Sequence, residues 1–113
     1  MTVTLPWPDK ALSANARLHW APKSRATKRA RQDAAWLTRA AGSVTLPDGP
    51  IAVRVTFHPP TKRRHDRDNL IGRMKAAQDG IADALGVDDA RFEPTYAMGE
   101  VRRGGAVVVE IGA

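Results

Sequence analysis

A chain of 113 residues with 42% hydrophobic and 27% charged side chains has the composition of one soluble globular domain with a modest core, not of a disordered segment. No apolar run approaches the ~18 residues that a membrane span needs, and the absence of cysteine excludes disulfides and thiolate metal sites while fitting a reducing compartment. The net charge is +6 and is unevenly spread: residues 1–64 hold 12 Lys/Arg against 3 Asp/Glu, whereas residues 65–113 hold 6 against 9.

The elements follow from periodicity and punctuation. Val3, Leu5 and Trp7 alternate with Thr and Pro, which predicts a short strand ending at Pro8. The start, from Met1 to Pro6, has no basic cluster or long apolar stretch, so no signal peptide is expected. Residues 9–22 are expected to form a loop. Residues 23–41, rich in Ala, Lys, Arg and Gln and free of Gly and Pro, predict a helix stopped by Gly42. Alternation at Ile51, Val53, Val55 and Phe57 predicts a half-buried strand, ended by Pro59-Pro60. Leu70, Met74, Ala77, Ile81 and Leu85 recur at helical spacing, predicting one helix over residues 69–85 with Gly86 as its stop. Two last strands, near residues 96–102 and 106–111, are expected to form a hairpin through Gly104-Gly105. The expected fold is a single α/β (α+β) domain over residues 1–113: a mixed sheet of about four strands with two helices packed on it.

The chemistry concentrates at Lys62-Arg63-Arg64-His65-Asp66-Arg67-Asp68-Asn69. Carboxylates inside a basic run oppose phosphate binding unless a cation lies between them. Two aspartates at i and i+2 before a helix can aim at one point if the backbone is extended, and hard carboxylate oxygens suit Mg²⁺. Asp88-Asp89 is a third acidic source, which only the fold can bring to the first two. The plainer alternative is that Asp66 and Asp68 cap a helix and complement its dipole, and that Asp88-Asp89 is an ordinary turn. On the second helix, Lys75 and Asp79 lie opposite the apolar stripe, on the face extrapolated to Asp68. Lys75 is suited to steady developing phosphoryl charge or merely to pair with Asp79. Arg73 is expected on the flank, facing solvent or DNA backbone. His19, His58 and His65 share no metal-ligand spacing. Trp7, Trp20 and Trp36 suit either stacking on unpaired bases or packing in the core.

Three segments carry a resemblance: Thr4-Leu5-Pro6-Trp7-Pro8, Asp66-Arg67-Asp68-Asn69-Leu70 and Leu85-Gly86-Val87-Asp88-Asp89. In order and spacing the chain resembles the RusA family of phage-derived Holliday junction resolvases. The resemblance implies a homodimer that binds four-way junction DNA and makes paired symmetric nicks, in the cytoplasm of a bacterial cell and encoded by a phage or prophage. It implies one or two Mg²⁺ ions, with Mn²⁺ as a substitute, held by Asp66, Asp68 and Asp89. The family's lysine follows the second aspartate by four residues, a place held here by Gly72. Lys75, one turn further in the string Lys75-Ala76-Ala77-Gln78-Asp79, takes the role. The expected DNA contacts are Lys23, Arg25, Lys28 and Arg29 on the first helix, Lys62, Arg63, Arg64 and His65 in the loop, and Asn69. The alternatives are a non-catalytic protein that binds branched DNA, or a nuclease for flaps or other branched nucleic acid.

Overall fold

The protein is described by a computed structural model, over residues 1–13 and 20–112. His19 and the side chain of Trp20 lie outside the described residues.

The element order is β1 (Thr2–Leu5), a 3-10 turn (Lys10–Leu12), α1 (Trp20–Ala40), β2 (Ile51–His58), α2 (Arg67–Gly72), α3 (Lys75–Leu85), a second 3-10 turn (Asp89–Arg91), β3 (Phe92–Met98) and β4 (Ala106–Ile111). The strands form one mixed sheet in the order β1-β4-β2-β3. β2 and β3 are parallel, with Ile51 opposite Phe92 and Phe57 opposite Met98. β4 is antiparallel to both β1 and β2. The first strand stops at Leu5, short of Trp7, and the third begins four residues before the expected start.

Strict alternation places Val3, Leu5, Ile51, Val53, Val55, Phe57, Val107, Val109 and Ile111 on one buried face, where Leu70, Met74, Ala77 and Ile81 meet them. The other face is open, with Thr2, Thr4, Ala52 and Arg54 exposed. The helices lie in a layer on the buried face, α1 packed chiefly against α3. They meet at Gly80, where an added Cβ would lie 2.1 Å from the carbonyl oxygen of Arg31. No side chain fits that crossing.

The first long helix also begins earlier than expected, at Trp20, and two further expectations about the elements need correction. The hairpin does not form, because β3 and β4 are not neighbours. Gly104-Gly105 does turn the chain, with the amide of Gly105 donating to the carbonyl of Arg102 at 2.8 Å. Before that, residues 99–102 pass over the end of β2, with Gly99 N–H donating to Phe57 O at 2.7 Å and Arg102 N–H to Pro59 O at 2.9 Å. The chain thus leaves β3 on one side of β2 and returns as β4 on the other. A Cβ at Gly99 would stand 2.5 Å from the His58 ring, so glycine is what lets the segment cross so closely. His58 is buried there, its Nδ1 2.9 Å from the Glu100 carbonyl oxygen.

The expected single helix over residues 69–85 begins earlier and is broken. α2 starts at Arg67, and successive i→i−3 bonds, Arg73 to Leu70 at 3.1 Å and Met74 to Ile71 at 3.0 Å, overwind the chain between α2 and α3. Gly72, a poor helix former, stands at the break. α3 ends as expected: Gly86 is left-handed (φ 69°), and Val87 N–H reaches back to Ala82 O at 3.1 Å, the Schellman arrangement.

Candidate active site

α2 and α3 form the crossover between the parallel strands β2 and β3. The loop of residues 61–65 leaves the His58 end of β2 with Lys62, Arg63 and Arg64 all exposed. Asp66 follows as the N-cap of α2. Its backbone is extended (φ −74°, ψ 111°), and one carboxylate oxygen accepts from the amides of Asp68 at 3.0 Å and Asn69 at 3.3 Å. The capping role weighed from sequence is therefore present. It engages one of the two carboxylate oxygens. Asp68, in the first helical turn, is exposed and makes no ion pair among the described residues.

Neighbouring groups fix this helix start. The Arg67 guanidinium donates to the carbonyl oxygen of Tyr96 on β3. The Tyr96 ring stacks on Phe57 (centroids 6.2 Å apart, planes at 10°), and its hydroxyl accepts from Gln78 Nε2 at 2.8 Å. The half-buried Asn69 accepts from the Ser13 hydroxyl. Sequence reasoning missed Arg67, Gln78, Tyr96 and Ser13 as supports. Their partners are distant along the chain, and no local spacing pairs them; Arg67 and Gln78 stand inside the quoted segments only as intervening positions.

Lys75 opens α3. Its ammonium donates to Asp79 at 3.0 Å and also to Asp89, which belongs to the 3-10 turn before β3. The hydrogen bond it donates to Asp89 is the largest influence raising the Lys75 pKa above its ordinary value, and the same bond holds the Asp89 carboxyl below the usual carboxylate range. Asp88 has a different task, capping the 3-10 turn by accepting from the Ala90 amide at 2.9 Å. The two adjacent aspartates are thus distinguished: Asp89 meets the lysine, and Asp88 shapes the turn.

The three aspartates singled out from sequence are not gathered at one point. Among the described residues, no group of three or more His, Cys, Asp or Glu side chains stands ready to hold a metal ion. Asp66 and Asp68 follow the His58 end of β2, whereas Asp89 opens the 3-10 turn that leads into Phe92, the partner of Ile51. The donor set that fits a hard divalent cation is Asp66, through its second oxygen, with Asp68. Mg²⁺ commonly takes only one or two carboxylates and fills its shell with water and phosphate oxygens.

The expected DNA contacts divide. Arg25, Lys28 and Arg29 on α1 are exposed, as are Lys62, Arg63 and Arg64. Lys23 is half-buried and reaches the Ser13 carbonyl at 3.4 Å. His65 is also half-buried, packed edge-on against Trp7 with centroids 5.4 Å apart, and its Nε2 is buried with no hydrogen-bond partner among the described residues. Arg73 departs from its expected solvent-facing position. It is half-buried with Nε fully enclosed, and it lines a cleft of about 250 Å³ with Trp7, Leu12, Ala30 and Met74. The break between α2 and α3 puts it there, on the side of α1.

No family model matches the chain. It is 46% identical over 114 aligned residues to an uncharacterized protein of Xylella fastidiosa (strain Temecula1), with 97% of this chain and 74% of that protein covered. The chain belongs to the same family as that protein. Among the described residues no helix is long and apolar enough to cross a membrane.

Proposed function

We propose that the chain is a divalent-metal-dependent endodeoxyribonuclease that resolves four-way DNA junctions as a homodimer, the activity implied by its resemblance to the RusA family. In this reading it works in the bacterial cytoplasm and is phage or prophage encoded. The observation that carries it is a juxtaposition on one crossover: an exposed basic loop, the Asp66–Asp68 helix start, and Lys75 bound to Asp89.

Asp66 and Asp68 would hold Mg²⁺, or Mn²⁺ in its place, with Asp89 as the third carboxylate once it leaves Lys75. Bound there, the ion would polarise a phosphoryl oxygen and lower the pKa of water. Lys62, Arg63 and Arg64 bind the phosphate backbone through charge, without reading bases, which suits selection of a branched shape. The Asp66 cap and the Arg67–Tyr96 contact orient the start of α2. Lys75, an ammonium at neutral pH, supplies positive charge toward the scissile phosphate.

Incubation of the protein with a labelled four-way junction tests this. Paired symmetric nicks that need Mg²⁺ or Mn²⁺ are expected, with light scattering giving twice 12.3 kDa. A second reading, a non-catalytic protein that binds branched DNA, draws on the engagement of Asp89 by Lys75. Tight junction binding without nicking at any metal concentration would establish it, and preferential cutting of flaps would point to a different branched substrate.

A further inference from the structure

Trp36 lies well inside α1, yet it is 71% exposed. A tryptophan carries a large apolar surface and is normally covered over most of it. The helix is held by its other side, where Ala34 and Thr38 are buried, so packing within the chain does not account for Trp36. At about 100° per residue, Arg25, Lys28, Gln32, Trp36 and Arg39 fall within roughly 80° of one another. All five are exposed. Over these residues the helix runs about 21 Å, the length of about six stacked nucleotides at ~3.4 Å each.

The nearby carboxylates are already engaged. Asp83 takes both hydrogen bonds of the Arg31 guanidinium, at 2.6 and 2.9 Å, and Asp33 lies 3.8 Å from Arg29. Among the described residues Arg25, Lys28 and Arg39 make no ion pair. The stripe therefore presents net positive charge around one flat aromatic ring. A second copy of the chain is a poor occupant, because a two-fold contact through Trp36 would bring the same cations face to face. A single strand of DNA matches both features, with phosphates for the cations and a π-face for the indole.

We infer that the outward stripe of α1 is a track for a single DNA strand, on which one unstacked base lies against Trp36. The inference deepens the proposed function and rests on it for the choice of DNA. At a branch point, strands leave their duplexes, and such a track would hold one of them.

The test is titration of the full chain with a twelve-residue oligo-dT, followed by tryptophan emission and by anisotropy of a labelled oligonucleotide. Quenching on binding is expected in the wild type and not in Trp36→Phe, whose smaller ring should keep the affinity within a few-fold. Trp36→Ala should weaken binding roughly 10- to 100-fold, with an unchanged melting temperature because the side chain packs against little. Arg39→Ala and Lys28→Ala should each reduce the salt dependence of binding by about 0.7 of a unit of slope. Equal affinity of Trp36→Ala and wild type, or quenching that survives in Trp36→Phe, overturns the track. Loss of a dimer in Trp36→Ala also overturns it, by assigning the face to a second copy. Oligo-dT binding through Trp36 in a protein that never cuts junctions would leave the track standing and remove the nuclease reading. Junction cutting with no oligo-dT binding would do the reverse.

Discussion

Lys75, the first residue of α3, donates its ammonium proton to the carboxylate of Asp89, 14 positions on and outside that helix, while holding Asp79 one turn away. The pair with Asp79 is one that helical spacing alone supplies, but the contact with Asp89 requires the fold. The Lys75 side chain is still 68% exposed, so the pair adds little to stability. If the ammonium acts on the transition state, Lys75→Ala should slow junction cleavage about a hundredfold or more with little change in affinity. An unchanged single-turnover rate, with a slight loss of stability, would reduce Lys75 to a surface ion pair.

The same contact sets a pH dependence. The Asp89 carboxyl is held below its ordinary 3.8, mainly by the hydrogen bond from Lys75. Its contribution is therefore complete above the unfolded value and is lost as pH falls through the lower, folded one. Lys75 is raised above its ordinary 10.5. Its contribution is complete below that value and is lost as pH rises through the folded one. Urea unfolding should then show a wild-type minus Asp89→Asn difference that is flat from about pH 5 to 9 and shrinks in stronger acid or base. A difference that changes near pH 7 would implicate some other group. Because Lys75 stays charged through neutrality, it supplies positive charge there and does not act as a base.

Local pattern revealed the core strands. β2 and β4 alternate so regularly that their buried faces follow from the sequence alone. The partners of those strands were not legible. Gly104-Gly105 marks a turn, but a turn signal says only that the chain reverses, and the order β1-β4-β2-β3 comes from long-range pairing. The site divides in the same way. The pair Lys75–Asp79 and the Asp66 cap are local and readable, whereas Lys75–Asp89 and Arg67–Tyr96 depend on the path of the crossover. Arg73 departs from the flank position that a continuous helix predicts, because the helix breaks after Gly72. At the overwound break its Nε is enclosed beside the cleft lined by Trp7, Leu12 and Met74, so Arg73→Ala perturbs that cleft.

Gly80 fixes the distance between the two long helices. A Cβ there would sit 2.1 Å from the Arg31 carbonyl oxygen, a backbone atom that cannot rotate away, and 3.1 Å from the Ala34 Cβ. Helix propensity alone would make Gly80→Ala stabilising by about 1 kcal/mol. The clash should reverse that sign and cost about 1–3 kcal/mol as α1 and α3 move apart. Chemical denaturation of the variant decides between them. A gain in stability would show that the helices sit further apart in solution than here.

Asp66 has two roles to separate, the helix cap and the proposed hold on a divalent cation. Asparagine caps about as well as aspartate, through a side-chain oxygen that accepts from the same amides, but it lacks the charge a hard cation needs. Asp66→Asn should therefore keep nearly wild-type stability and junction binding while losing metal-dependent cleavage. Asp66→Ala should lose both, with about 0.5–2 kcal/mol of destabilisation. Asp68, exposed and in no ion pair among the described residues, should behave differently. Asp68→Asn and Asp68→Ala should each abolish cleavage, and each should strengthen binding to junction DNA slightly, because a negative charge beside the phosphates is removed. Cleavage that survives in Asp66→Asn but not in Asp66→Ala would make Asp66 a cap alone. The candidate cation site would then rest on Asp68 and on Asp89 released from Lys75, and the ion would be placed without Asp66.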